Sequence, residues 1–348
     1  MNIAALPLII VAALFLVSAI LVWTAGTRLA IYGDELSERF NLSREFIGLI
    51  FLATVTELPE IVTTVTGAMR DNAALVLGNL FGGITMNTAI LAVIDFFIVR
   101  HALTSWPRKP NHVLPAVLLI VLLALLLAVT FVGDVALFLN VGLAAICLSA
   151  GYPIVIGLLR KFDSKDTWAP IDLPEDSKRE VAQLITNNPL KNISTRTLIF
   201  YALATSLIIL VAGVFLAISA DMIAKKTSIG SSFIGVTLLA AATSFPELST
   251  TLAAARMGAY TMALSNIFGS NLIMLALILP SDVSYSSGPI LSQADPITQL
   301  SIAIGIVVTA IYVVGILIRR TPTLLGAGLD SWLVVLVYLG LLISIYYL

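Results

Sequence analysis

Ten long apolar stretches constrain this chain more than any other feature of its sequence. Each is long enough to cross about 30 Å of hydrocarbon as a helix. Of the 348 residues, 59% are hydrophobic and only 11% are charged, and a water-soluble fold could not bury so much apolar surface. We therefore predict an all-α membrane protein with ten transmembrane helices. The stretches lie at about residues 4–23, 46–68, 74–99, 113–133, 135–159, 197–220, 231–256, 261–279, 298–318 and 330–348.

The composition excludes several classes of function. A net charge of −1 provides no basic surface for DNA or RNA, so we expect no nucleic-acid partner. The single cysteine, Cys147, excludes an intramolecular disulfide and a cysteine-rich metal site. An intramembrane enzyme is not expected, because neither paired aspartates nor a histidine-rich motif lies at the middle of a span. We expect no cofactor and no obligate protein partner beyond the surrounding lipid.

The distribution of basic residues predicts the orientation in the membrane. Only Arg70, Lys225 and Lys226 fall on the side of the termini, and the other 16 of the 19 basic residues fall on the opposite side. Because basic residues accumulate in cytoplasmic loops, both termini are predicted to lie outside a cell membrane. The longest connection, 160–196, is polar and is predicted to be a cytoplasmic linker between two halves, 1–159 and 197–348.

The two halves carry an internal repeat. When the chain is aligned with itself at an offset of 187 residues, 25–87 matches 212–274 without a gap and with 21 identities in 63 positions. Each half contains five predicted spans, an odd number, so the second half must cross the membrane upside down relative to the first. Inverted repeats of this kind place a substrate site near the bilayer midplane. We predict two inverted five-helix repeats.

Each repeat places a glutamate near the middle of an apolar span, at Glu60 and Glu247. An ionised carboxylate there is costly, and no Lys or Arg lies near the middle of any span to pair with it. The carboxylates must therefore hold protons or a bound cation. The preceding residues, Pro59 and Pro246, free backbone carbonyls one turn earlier, and hard cations such as Ca²⁺ and Na⁺ prefer oxygen ligands.

A second polar helix follows each of these motifs. Its glycines, including Gly82 and Gly83, are expected to serve close helix packing. Its polar side chains are candidate ligands or neighbours of ligands; they are Asn79, Asn87, Asn266 and Ser270. Three aspartates nearer the span ends are expected to be solvated or to cap helices; they are Asp34, Asp95 and Asp221.

The two motifs resemble the repeats of the calcium:cation antiporter superfamily, which includes the sodium/calcium exchangers and their microbial relatives. Those repeats carry Gly-Thr-Ser-Leu-Pro-Glu, followed by Gly-Asn-x-x-Gly-Ser-Asn-Ile-x-Asn/Asp. In the first motif (46–99) the matching segments are Val55–Glu60 and Gly78–Asn87. In the second (231–279) they are Ala242–Glu247 and Ser265–Met274. The resemblance covers essentially the whole chain.

The resemblance implies which residues bind ions. It implies a central calcium site made by the carboxylates of Glu60 and Glu247 and the backbone carbonyls of Thr56 and Thr243. It also implies flanking sodium sites; their ligands would be Ser244 and Ser270, with Asn87 near the centre. The first and sixth spans would be gating helices that slide past a core of eight helices.

Three positions depart from the family pattern. Glu57 and Gly83 replace serines, and Met274 replaces an acidic or amide residue. Three buried carboxylates cannot all stay ionised in an empty site, so we hypothesise that Glu57 binds a proton and that the coupling ion is H⁺ rather than Na⁺.

The function that these features favour is secondary antiport of Ca²⁺ against Na⁺ or H⁺. Antiport of a monovalent cation, Na⁺ or K⁺, against H⁺ is the alternative, because the predicted sodium ligands are incomplete. A cation channel is a more distant alternative, since its pore would be formed by oligomer symmetry, whereas the symmetry here lies within one chain.

Overall fold

The computed structural model describes most of the chain. The described residues are 6–39, 53–99, 102–106, 113–137, 141–161, 193–256, 258, 260–318 and 321–347. The beginning of the second predicted span (46–52) and nearly all of the predicted linker (160–196) lie outside these ranges.

The described residues are almost entirely helical. The first half contains α1 (Leu8–Arg39), α2 (Ala53–Thr56), α3 (Leu58–Met69), α4 (Ala73–Phe97), α5 (Val113–Val132) and α6 (Leu143–Lys161). The second half contains α7 (Thr195–Thr227), α8 (Ser231–Ile234), α9 (Ala240–Thr243), α10 (Phe245–Arg256), α11 (Tyr260–Ala276), α12 (Ile278–Ser284), α13 (Pro296–Ile318) and α14 (Leu329–Tyr347). A π-helical turn (Gly235–Leu239) joins α8 to α9, and two 3₁₀ turns lie at Leu103–Ser105 and Ile290–Gln293. A short antiparallel hairpin, β1 (Thr323–Leu324) and β2 (Ala327–Gly328), precedes α14.

Seven stretches of described helix are long and apolar enough to cross a membrane, and there are eight when the bent pair formed by Ser231–Thr243 and Phe245–Arg256 counts as one span. The helix α6 is apolar but shorter, over Leu143–Leu159. The prediction of an all-helical membrane protein is therefore confirmed, and the number of ten spans stays a prediction. The seven are Leu8–Leu29, Ala73–Phe97, Val113–Val132, Thr195–Thr227, Tyr260–Ser284, Pro296–Ile318 and Leu329–Tyr347.

The helices α1 and α7 extend well beyond the apolar stretches predicted at 4–23 and 197–220. Hydropathy detects only the part of a helix that lies in lipid, whereas their polar ends continue the helix with ion pairs one turn apart. In α1, Arg39 Nε lies 2.7 Å from Glu35 Oε1. The two helices are antiparallel, because Arg39 at the end of α1 donates a hydrogen bond of 2.8 Å to the carbonyl of Ile193, just before α7.

The centre of the molecule lies between α4 and α11, which are almost wholly buried. Asn271 Nδ2 lies 3.4 Å from the carbonyl oxygen of Ile84, and Asn87 Nδ2 lies 3.9 Å from Met274 Sδ. Both pairs join residues that are 187 positions apart. Positions related by a two-fold axis can contact their own mates only beside that axis. These contacts support an approximate two-fold axis between α4 and α11, as inverted repeats require.

A buried aspartate near the end of α4 joins two distant loops. Asp95 accepts hydrogen bonds from the backbone N–H of Leu103 at 2.9 Å and of Gly328 at 2.7 Å. The first of these donors begins the 3₁₀ turn and the second ends the hairpin. The expectation that Asp95 is either solvated or a cap is therefore resolved in favour of a cap, because its side chain is fully buried.

The second half repeats this arrangement. Asp282 accepts hydrogen bonds of 2.6 Å from the backbone N–H of both Ile290 and Gly142. It lies 187 residues after Asp95, and Ile290 lies the same distance after its own counterpart. The structural repeat thus extends beyond the segment in which the two sequences can be aligned. In each half the aspartate holds the two loops that flank the last two helices of the repeat.

Candidate cation site at the centre of the bundle

Both predicted proline motifs lie where a helix is interrupted. The helices α2 and α3 are separated at Glu57, and α9 and α10 are separated at Ser244, where the chain bends by 44°. Pro59 and Pro246 follow two residues later, and a proline has no N–H to donate to the carbonyl four residues back. The interruptions therefore have a local chemical cause, and they leave backbone carbonyls of both helices without their usual helical donor.

The structure brings the residues of the predicted site together. They come from both halves, and each is at most 2% exposed. Because a membrane-buried polar group needs a partner, a cluster of this kind is either fully hydrogen-bonded or made to bind something. The residues are Thr56, Glu57, Glu60, Asn87, Thr243, Ser244, Glu247 and Ser270.

Nine buried oxygen atoms of this cluster have no hydrogen-bond partner among the described residues. Buried polar groups in folded proteins are hydrogen-bonded in the large majority of cases. Such a concentration at one place is therefore typical of a cation site. The atoms are both carboxylate oxygens of Glu57, Glu60 and Glu247, together with Asn87 Oδ1, Ser244 Oγ and Ser270 Oγ.

The two halves interpenetrate at the glutamates. Thr243 of the second half lies beside Glu60 of the first, and Thr56 of the first half lies beside Glu247 of the second. Glu247 is near enough to Glu60 for their charges to repel each other. Among the described residues, no three Asp, Glu, His or Cys side chains are arranged to hold one metal ion. A cation here would be shared by at most two carboxylates and by neutral oxygens.

Asparagines support the site from behind. The hydroxyl of Thr243 donates a hydrogen bond of 3.3 Å to Asn79 Oδ1, and Asn79 Nδ2 in turn donates one of 3.3 Å to Thr63. In the other half, Asn266 Nδ2 donates hydrogen bonds of 2.9 Å to Thr250 and 3.1 Å to Thr251. These contacts orient the threonine-rich helices that follow each glutamate, so both asparagines act as neighbours of the predicted ligands.

Sequence reasoning missed the residues by which α1 contacts the interrupted helix of the other half. A methyl group built on Gly26 would lie 2.7 Å from both Cβ and Cγ of Pro246. One residue later, the hydroxyls of Thr27 and Ser249 are hydrogen-bonded at 2.7 Å. Close approach of α1 to the site therefore depends on a glycine, and α1 is joined to α10 by a specific polar contact.

The helix α7 makes the corresponding contact with the first half. A methyl group on Gly213 would lie 3.3 Å from Val62 Cβ and 3.6 Å from the carbonyl oxygen of Pro59. Gly26 and Gly213 are themselves among the identities of the internal repeat. That identity is the signal from which this pair of contacts could have been found.

The family model described as sodium/calcium exchanger protein matches residues 10–158 and 197–347. The chain belongs to the sodium/calcium exchanger protein family. The predicted resemblance to calcium:cation antiporters is thereby confirmed, and the chain is a membrane transporter of this family rather than an enzyme.

Relatives of this family member cover nearly its whole length. It is 24% identical over 343 residues to inner membrane protein YrbG of Escherichia coli, covering 96% of this chain and 98% of that protein. It is 25% identical over 261 residues to the putative antiporter CaxA of Alkalimonas amylolytica, covering 75% and 76%. A solved structure of the sodium-calcium exchanger NCX_Mj, soaked with Na⁺ and Sr²⁺, superposes with a TM-score of 0.64 at 20% identity, covering 98% of this chain and 100% of that one. This last likeness shows a shared fold.

Proposed function

We propose that this family member exchanges Ca²⁺ against Na⁺ or H⁺ at the central carboxylate site. The observation that carries the proposal is the set of nine buried oxygens without partners, six of them from carboxylates. Carboxylate, hydroxyl and amide oxygens at one place suit a hard cation such as Ca²⁺ or Na⁺. The proposal agrees with the printed names of an antiporter and an exchanger among the similar proteins.

The inverted halves support an alternating-access cycle. Each interrupted helix contributes one glutamate, Glu60 or Glu247, and each is contacted by the long helix of the opposite half. We propose that α1 and α7 move together past the remaining helices and open the site first to one side and then to the other. Because a bound cation neutralises the carboxylates, only the loaded site crosses its apolar barrier at low cost.

The proposed orientation places both termini outside the cell membrane and the 160–196 linker in the cytoplasm. One contact supports the assignment of the few outer basic residues to one side. Arg70 Nη2 and Lys225 Nζ both lie on Asp221 Oδ2, at 2.6 Å and 3.0 Å. Two of the three outer basic residues are thus held together by one carboxylate, in agreement with the positive-inside pattern.

Antiport of a monovalent cation against H⁺ is the second candidate, and Glu57 is the observation that favours it. This third carboxylate lies beside Ser270, near Glu247, and has no hydrogen-bond partner among the described residues. A carboxyl group that exchanges a proton at this place would couple transport to a pH gradient. A cation of single charge would then need fewer fixed carboxylates than Ca²⁺ does.

Uptake of ⁴⁵Ca²⁺ into proteoliposomes tests the proposed function. One set of vesicles carries an imposed Na⁺ gradient and another an imposed pH gradient. We expect uptake under at least one gradient, and its loss in Glu60→Gln and Glu247→Gln, since each change removes half of the charge that binds Ca²⁺. Absence of Ca²⁺ uptake under both gradients would contradict Ca²⁺ transport and favour the monovalent candidate.

Replacement of Glu57 by the residue at its repeat mate distinguishes the coupling ions. If Glu57 exchanges the proton, Glu57→Ser should abolish uptake driven by the pH gradient. Unchanged dependence on both pH and Na⁺ in this variant would contradict a role for Glu57 in proton coupling. The variant is conservative in shape, because Ser244 occupies the equivalent position in the other half.

A further inference from the structure

The two halves of the site are unequal at positions that the repeat makes equivalent. In the second half, Ser244 and Ser270 supply neutral hydroxyl oxygens that are buried and have no hydrogen-bond partner among the described residues. At an offset of 187 residues, the first half places Glu57 and Gly83 at these positions. The second half therefore offers a pair of neutral oxygens that the first half lacks.

The space beside Gly83 is filled by a side chain from the other half. A methyl group built on Gly83 would lie 2.5 Å from Met274 Cε and 3.3 Å from Met274 Sδ. Both residues are fully buried, so the thioether has little other space available. The terminal methyl group of Met274 thus occupies the volume into which a side chain at position 83 would extend.

Met274 also replaces an oxygen at the centre of the site. Its repeat mate, Asn87, has an unpartnered Oδ1, while its Nδ2 donates to Asn271 Oδ1 at 3.2 Å and faces Met274 Sδ at 3.9 Å. A thioether sulfur is a weak acceptor and a poor ligand for hard cations. Where the repeat would place a second amide oxygen, the structure has an apolar group.

We propose that Met274 and Gly83 together close one neutral-oxygen cation subsite of the first half, so that this exchanger keeps a single such subsite, at Ser244 and Ser270. Met274 is then a specificity-determining residue that limits how many hard monovalent cations bind beside the central carboxylates. The inference rests on the proposed function, since it concerns how many ions the same site takes.

The closure depends on both residues at once. A serine at position 83 would meet the methyl group of Met274, and a smaller side chain at position 274 would leave no hydroxyl at position 83. Residues in direct contact of this kind are expected to be non-additive. Reopening the subsite therefore requires Gly83→Ser and Met274→Asn together, which gives each position the residue of its repeat mate, Ser270 and Asn87.

The test measures binding of Na⁺ and Ca²⁺ to the purified full-length protein through the rise in its melting temperature. In the double variant G83S/M274N we expect the Na⁺ concentration at half-maximal effect to fall by roughly tenfold, which corresponds to the gain of about one net polar contact. Each single variant should fall well short of this change. Met86→Asn is the matched control, because it makes the same change on α4 at a side chain that contacts Tyr338 instead.

Loss variants test the open subsite without crowding the core. If Ser244 and Ser270 form the remaining neutral-oxygen subsite, Ser270→Ala should remove most of the response to Na⁺ and leave the response to Ca²⁺. A full Na⁺ response in Ser270→Ala, or a wild-type Na⁺ response in the folded double variant, would overturn the inference. Loss of the Na⁺ response in Met274→Leu would also overturn it, because the sulfur would then be a ligand.

The same measurements separate this inference from the proposed function. A wild-type protein whose melting temperature does not respond to Ca²⁺ would contradict the proposed function. A wild-type protein that responds to Ca²⁺, with the same Na⁺ dependence in the double variant, would contradict only the closed subsite.

Discussion

At the scale of single residues, one glycine sets how closely α1 approaches the cation site. Gly26 faces Pro246, which directly precedes Glu247 in the interrupted helix. Trp23, one turn earlier on α1, stacks on Phe245 with ring centroids 5.1 Å apart. Because a proline ring is rigid, α1 cannot accept a larger side chain here without moving away from α10.

The change Gly26→Ala is expected to destabilise the protein by about 1–3 kcal/mol, the usual cost of overpacking a buried contact. The new methyl group would lie 2.7 Å from two ring carbons of Pro246, well inside contact distance. Thermal unfolding in detergent measures the effect. Gly157→Ala is the matched control, since nothing lies within 4 Å of a methyl group at that helical position. Its stability should be unchanged or slightly raised, and an equal loss in both variants would contradict the explanation.

At the scale of elements, carboxylates connect helix ends that are distant in sequence. Asp95 and Asp282 do so within the membrane-spanning region, in geometrically equivalent positions. The turn between α3 and α4 does so at the surface. There, Asp71 accepts hydrogen bonds from Ser287 at 2.7 Å and Ser286 at 3.0 Å. That turn is therefore tied to the loop that follows α12.

The surface contact predicts a dependence of stability on pH. Hydrogen bonds from Ser287 and Ser286 lower the pKa of Asp71. A carboxyl group whose pKa is lower in the folded state stabilises that state above its unfolded pKa of about 3.9, and the stabilisation is lost as the pH falls. The variant S286A/S287A should therefore melt below wild type at pH 7, and the difference should shrink towards pH 3.

Melting curves between pH 7 and pH 3 measure this difference. Ser344→Ala is a suitable control, because the hydroxyl of Ser344 donates to the carbonyl of Gly340 and contacts no carboxylate. Any difference between this control and wild type should not depend on pH. A gap between S286A/S287A and wild type that stays constant down to pH 3 would contradict the contribution of Asp71.

At the scale of the whole molecule, the proposed cycle requires α1 and α7 to move relative to the other helices. The contact between the hydroxyls of Thr27 and Ser249, at 2.7 Å, crosses the boundary between the moving and stationary parts. Side chains this close can be replaced by a disulfide with modest adjustment of the backbone. Such a bond would join α1 to α10 permanently.

Oxidation of a Thr27→Cys/Ser249→Cys variant should stop cation transport, and a reductant should restore it. The background carries Cys147→Ser, because Cys147 is exposed and would otherwise react. Thr104→Cys/Thr321→Cys is the control pair: these hydroxyls lie 3.1 Å apart, outside α1 and α7, and a bond between them should leave transport intact. Transport at the wild-type rate by fully cross-linked Thr27→Cys/Ser249→Cys protein would contradict movement of α1 past α10.

Much of this architecture could be predicted from sequence, because the features concerned are local. Partition into lipid depends on the composition of each stretch, so the all-helical membrane fold follows from hydropathy. The interruptions beside Pro59 and Pro246 follow from the missing N–H of proline. The inverted relation of the halves follows from an odd number of spans per repeat. The two glutamates stood out because a membrane-buried carboxylate needs a partner that the spans lack.

The contacts between distant segments were decided by the tertiary structure alone. Hydropathy underestimated α1 and α7, whose polar ends are held by ion pairs and by each other. The positions of Gly83 and Met274 were recognised as departures, but their contact across the molecule was not predictable. Local composition determines which segments enter the membrane, whereas the crossing of the two inverted halves determines which side chains meet, and no short stretch of sequence encodes that crossing.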